Sequence, residues 1–145
     1  MSQFMGYLLG GIIPAVLLGI YSVLQKAATK QGISPGILLV VMGVQIVIIG
    51  LVYSFVFKEY NLTLKSGIIA SCTGIVWACA TCFISVALAK YNMPISNLVP
   101  LFNMNTLVAV CLGLIVFAEW KNVNLLRLFA ASVLIVIGGI LATRA

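Results

Sequence analysis

Apolar residues run in five long blocks along the chain, at residues 4–24, 36–57, 66–89, 95–117 and 125–142, and polar or charged residues collect in the gaps. An α-helix rises about 1.5 Å per residue, so roughly 20 apolar residues cross a hydrocarbon core about 30 Å thick. Each block is close to that length, and the pattern predicts five transmembrane helices. The gaps carry residues that end helices or meet water: Lys26, Lys30, Gly32 and Pro35, then Lys58, Glu59, Asn61 and Lys65, then Lys90, Asn92 and Pro94, then Glu119, Lys121, Asn122 and Asn124. Runs such as residues 37–41 and 133–137 are apolar without alternation, whereas barrel strands alternate over about ten positions. The expected fold is all-α, a polytopic integral membrane protein in which residues 1–145 form a single transmembrane domain. The first block is expected to remain as a span, because no basic residue precedes it as in a cleaved signal.

Composition removes the soluble alternatives. The chain is 63% hydrophobic and 7% charged, against about 45–50% and about 25% for a soluble domain. The net charge of +6 would suggest nucleic acid on a soluble protein. Here the charges are spread thinly between apolar blocks, with no basic cluster, so they read as membrane-interface chemistry. A multi-pass protein of a bacterial-type inner membrane is expected, with the lipid bilayer as partner and no nucleic acid.

Basic residues near helix ends normally set orientation. With five spans the flanks alternate sides, and the eight basic residues divide equally: Lys58, Lys65, Lys121 and Arg127 on one side, Lys26, Lys30, Lys90 and Arg144 on the other. Either the first helix dominates, with Lys26 and Lys30 favouring an outside N-terminus, or the chain inserts both ways and pairs as an antiparallel homodimer. The second arrangement would rebuild the inverted repeat on which many transporters are based.

Small residues at a four-residue spacing mark faces for close helix packing in lipid. The third block has Ser66, Ala70, Gly74, Ala78 and Cys82, and the first has Gly11, Ala15 and Gly19. These stripes predict close crossings, either inside the bundle or at a dimer contact, with Gly113, Gly138 and Gly139 as further seam candidates. Pro14 and Pro100 each remove a backbone donor inside a block, giving either a hinge or a static kink.

Polar side chains within the blocks are the candidate solute contacts. Asn97, Asn103 and Thr106 lie near Pro100, Gln45 lies near the middle of the second block, Thr73, Trp77, Thr81 and Ser85 lie in the third, and Tyr21, Ser22 and Gln25 line the end of the first. A continuous wheel puts Ser96, Pro100 and Asn103 on one face and Asn105 nearly opposite. Neutral hydrogen-bonding groups with an aromatic wall suit a small polar or amphiphilic solute, although helix adhesion would use the same groups. Lys26 and Glu119 are the gate or helix-end candidates. No acid lies deep in any block and histidine is absent, which argues against a central carboxylate proton relay. Cys79 and Cys82 form a CxxC without histidine or acidic co-ligands, so small apolar packing is the expected role, with no metal and no cofactor. Phosphate loops and nucleophile elbows are absent, and an enzyme is not expected.

Gly19-Ile-Tyr-Ser-Val-Leu-Gln-Lys26 followed by Gly32-Ile-Ser-Pro35 resembles the opening of an EamA-like repeat of the drug/metabolite transporter superfamily. Pro94-Ile-Ser-Asn-Leu-Val-Pro100 through Leu112-Gly-Leu-Ile-Val-Phe-Ala-Glu119 resembles its fourth helix, and Leu134-Ile-Val-Ile-Gly-Gly-Ile-Leu141 its glycine-rich last helix. Leu18–Gly19 stands where that family often has Trp–Gly. The resemblance implies a transporter without ATPase activity. Family members commonly carry two such repeats of opposite orientation, and this chain resembles one.

The reading is a transporter of a small organic solute working by alternating access as a homodimer of one-repeat subunits. The alternatives are a subunit of a lipid-linked sugar flippase and a non-transporting membrane scaffold. The equal charge division generates one direct expectation. A reporter fused after residue 145 should be active on both sides of the membrane, and two added lysines in one loop should lock it to one side. Activity on one side alone from the unaltered chain would contradict dual insertion.

Overall fold

The computed structural model describes residues 3–121 and 123–143; Asn122 and Arg144, which enter the sequence reading, lie outside them. Among the described residues five helices are long and apolar enough to cross a membrane, and no strand occurs. We label them α1 (Phe4–Lys30), α2 (Pro35–Phe57), α3 (Leu64–Lys90), α4 (Ile95–Val116) and α5 (Leu125–Ala142). The chain divides into two compact units, Met1–Asn92 and Met93–Ala145.

In the first unit α1 runs past residue 24, where the apolar block ends, and continues to Lys30. Nothing between Gln25 and Lys30 breaks a helix, and lysine stems lie along apolar surface while their ammonium groups reach outward. The stop comes at Gly32, whose φ of 86° is the left-handed geometry that favours glycine after a helix. Lys58 (φ 54°) follows α2 directly, and Asn92 (φ 50°) follows α3 by two residues, so the chain leaves each of these helices through a left-handed residue. A capping box opens α3: the Ser66 N–H donates to Thr63 Oγ1 at 3.2 Å and the Thr63 N–H to Ser66 Oγ at 3.0 Å.

Near its start α1 widens into a π turn over Leu8–Ile12, where the Ile13 N–H donates to Leu8 O. The cause is Pro14. A regular turn would leave the carbonyl four residues upstream without a donor and in collision with the ring, and widening the turn relieves both. Pro14 therefore acts through an expanded turn rather than a simple kink.

Burial in this unit inverts the pattern of a soluble protein. α3 packs against both α1 and α2. The buried apolar residues are Leu38 and Leu88, whereas the buried polar residues are Ser22, Gln25, Thr29, Thr81 and Ser85. The large apolar side chains of α1, α2 and α3 mostly face outward, as hydrocarbon surroundings allow. The small-residue stripes do not supply this packing. Gly11, Gly19, Ala70 and Gly74 are exposed and Ala78 is half-buried, and a side chain added at Gly11, Gly19 or Gly74 would meet nothing within 4 Å.

In the second unit α4 is two segments, Ile95–Phe102 and Asn105–Val116. Pro100 sits inside the first segment without ending it, since Asn103 N–H still donates to Val99 O at 3.0 Å. The irregular turn falls at Asn103 and Met104, where Met104 N–H bonds Leu101 O (3.2 Å), Thr106 N–H bonds Asn103 O (3.1 Å) and Leu107 N–H bonds Met104 O (3.0 Å). These three-residue steps tighten the backbone. Thr106 Oγ1 donates to the same Asn103 carbonyl at 2.8 Å, competing with the regular ladder. A single helical wheel cannot relate Asn103 to Asn105, because the turn lies between them.

The first segment of α4 packs on α5. Gly139 is buried there: a Cβ on it would lie 3.2 Å from Met104 Sδ and 3.4 Å from the Pro100 carbonyl oxygen, whereas one on Gly138 would meet nothing within 4 Å. Gly139→Leu should lower stability against thermal unfolding in detergent by about 1–3 kcal/mol through overpacking. Gly138→Leu should change it by no more than about 0.5 kcal/mol. Equal effects at the two positions would contradict this packing.

Candidate functional site

The buried polar groups of the first unit form one seam between α1 and α3. On α1 they are Ser22, Gln25 and Thr29, and on α3 Thr81 and Ser85 with Leu88 below. The spacings, three then four and four then three, give one face on each helix. Small hydroxyl residues let the two backbones approach, as in other membrane helix pairs.

Most of the hydroxyls turn back on their own helix. Ser22 Oγ donates to Leu18 O at 2.9 Å, Thr29 Oγ1 to Lys26 O at 2.9 Å, and Ser85 Oγ to Thr81 O at 2.8 Å. Gln25 is the bridge: its Nε2 donates to Ser85 Oγ at 2.9 Å, with both residues sealed at 4% and 0% exposure. The single Ser85 proton is committed to the Thr81 carbonyl, so Ser85 can only accept from Gln25. This fixes the amide with its NH2 on Ser85 and leaves Gln25 Oε1 buried without a donor.

Tyr21 lies one turn before Gln25 on the same face. Its ring meets Trp77 at a centroid distance of 6.4 Å and an interplanar angle of 42°, within the range of favourable aromatic pairs. The Tyr21 hydroxyl is sealed beside the Thr81 side chain. Trp77 keeps 41% of its surface exposed. The seam thus combines two unpartnered oxygens, a fixed amide and a half-open indole, all uncharged. Such groups hold a solute by hydrogen bonds and stacking.

Of the sequence candidates, the fold brings Tyr21, Gln25, Trp77 and Thr81 together. Gln45 is exposed on α2. Asn97, Asn103 and Thr106 belong to the second unit, where Asn97 is half-buried and accepts from Ser96 Oγ at 3.2 Å, and Asn103 and Thr106 are exposed. Lys26 is half-buried on α1. Glu119 folds back toward α4, its Oε2 3.0 Å from where a Cβ on Gly113 would lie. The four cysteines are free thiols, and no cluster of three metal-ligating side chains occurs among the described residues.

Ser85 and Ser22 are central to the seam although their neighbours are the stronger sequence signals. Thr29 falls in what the apolar pattern reads as a gap. The three-four spacing of 22, 25 and 29 is the signal that finds them.

The family described as Sugar transport protein matches residues 8–145. Comparison with curated proteins and with solved structures gives no match.

Proposed function

The chain belongs to the sugar transport protein family, a family of membrane transporters, and on that premise we propose that it moves a small neutral, sugar-like solute across a membrane. The observation that carries this reading is the uncharged hydrogen-bonding seam between α1 and α3. A sugar offers hydroxyls that both donate and accept, together with an apolar C–H face. Gln25 and the Tyr21 hydroxyl complement the first, and the exposed face of Trp77 the second. In the second unit, taken by itself, Asn97, Asn103 and Thr106 are further candidate solute contacts.

Transport proceeds by alternating access in a pair of identical one-repeat subunits, as in an EamA-like arrangement. Five spans and the equal division of the eight basic residues support an antiparallel pair in the inner membrane of a bacterial-type cell. The exposed small-residue faces at Gly11–Gly19 and Ala70–Gly74 supply its close contacts. The widened turn beside Pro14 and the tightened turn after Pro100 are the hinges, with Lys26 and Glu119 at the gates.

The test is counterflow of labelled D-glucose, D-galactose and D-xylose in proteoliposomes without ATP. At least one should show saturable flux, reduced about tenfold or more by Trp77→Ala in protein that still folds. Absence of flux for every sugar from folded protein would contradict the proposal.

A further inference from the structure

Two atoms in the seam are out of balance. A buried oxygen that has lost water without gaining a donor is unfavourable, and Gln25 Oε1 and the Tyr21 hydroxyl are both in that state. They are one helical turn apart on one face of α1. The orientation of the amide is fixed from behind by the Ser85–Thr81 relay, at 2.9 and 2.8 Å. Gln25 therefore presents an acceptor and cannot exchange it for a donor unless the Ser85 hydroxyl also turns off the Thr81 carbonyl.

Tyr21 lies one turn from this acceptor on the same face of α1. Its residue is half-buried, and its ring rests on Trp77 at a tilt rather than being enclosed. The Trp77 indole, 41% exposed, is the open side of this arrangement.

Resting on the sugar-transport reading above, we propose that Gln25, held as an acceptor by Ser85, reads one hydroxyl of a neutral polyhydroxy solute as a hydrogen-bond donor, with the Tyr21 ring turning aside to admit it. The solute's hydroxyl donates to Gln25 Oε1, and the Tyr21 hydroxyl, brought round as its ring turns, bonds a neighbouring hydroxyl. Both orphan oxygens are satisfied only in the occupied state. Solutes bearing an acceptor alone at the position read by Gln25 are rejected, because two acceptors face each other there.

The experiment uses the full chain in nanodiscs with Trp120→Phe, which leaves Trp77 as the single indole. Binding is read from Trp77 fluorescence with D-glucose and its 2-, 3-, 4- and 6-deoxyfluoro analogues, in which fluorine replaces a hydroxyl and cannot donate. One analogue should bind about tenfold or more weakly than D-glucose. In Ser85→Ala, whose amide is free to turn, that penalty should fall to about twofold or less, and Ser85→Thr, which keeps the relay, should retain it. Tyr21→Phe preserves the ring and should weaken D-glucose about fivefold without changing which analogue is rejected.

If D-glucose binds but all the analogues match it within twofold, a trapped water or a static contact satisfies these atoms and the inference falls while the transport reading stands. The inference also falls, again without the transport reading, if Ser85→Ala leaves the penalty intact, or if Tyr21→Phe, the variant least able to disturb folding, leaves D-glucose affinity unchanged. If wild type shows neither binding nor flux of D-glucose, D-galactose or D-xylose, both readings fall together.

Discussion

Hydrocarbon offers no hydrogen bonds, and the architecture of this chain follows from that constraint. Every polar group placed at membrane depth has to find its partner within protein. The apolar side chains meet lipid without penalty and need no burial. The first unit accordingly turns Ser22, Gln25, Thr29, Thr81 and Ser85 inward, lets the exposed Ser71 and Thr73 bond carbonyls of their own helix, and leaves most of its leucines, isoleucines and valines outside. The same rule shapes the backbone. Pro14 is absorbed by a wider turn and Pro100 is followed by a tighter one, each keeping carbonyls near a donor.

Within this scheme the seam between α1 and α3 is unusual in being nearly, but not fully, satisfied. Ser22, Thr29 and Ser85 each close a bond to their own helix. Those contacts would exist in isolated helices, so they add little to the specificity of pairing. Gln25 is different, because its bond to Ser85 crosses between helices and aligns them. Bonds of this kind in membrane proteins contribute on average about 0.6 kcal/mol and at most about 2. That range holds a register yet can be released without unfolding the unit. A solute site that must open and close needs a contact of that strength.

The five spans were legible in the sequence because roughly 20 apolar residues in a row have few other uses. The end of α1 was not, since Lys26 and Lys30 look like a boundary when charge is read by itself. A helix stops where backbone geometry requires it, here at Gly32, and lysines within its last turns reach the interface by their stems. The small-residue ladder on α3 was a true pattern, but the face that packs on α1 is offset from it, at positions 81, 85 and 88 rather than 78 and 82. Tyr21, Gln25, Trp77 and Thr81 stood out as polar or aromatic residues in apolar runs. Their meeting depends on the register between two helices separated by α2, which periodicity along one chain does not encode. The break in α4 was hidden for a related reason: the proline is visible, while the competition of Thr106 for the Asn103 carbonyl is a matter of side-chain geometry.

The central claim is that the α1–α3 seam opens to solute rather than serving as a fixed core contact. The most direct measurement places a thiol at its most buried point, Ser85→Cys, in a chain whose native cysteines at 72, 79, 82 and 111 are replaced by alanine. Reaction with a membrane-impermeant maleimide is then followed in proteoliposomes, with Thr63→Cys as the exposed reference. Slow but measurable labelling is expected at position 85, at a rate that changes severalfold when a transported sugar is added. A thiol that never reacts from either side, with or without sugar, while the reference labels normally, would contradict the opening of the seam.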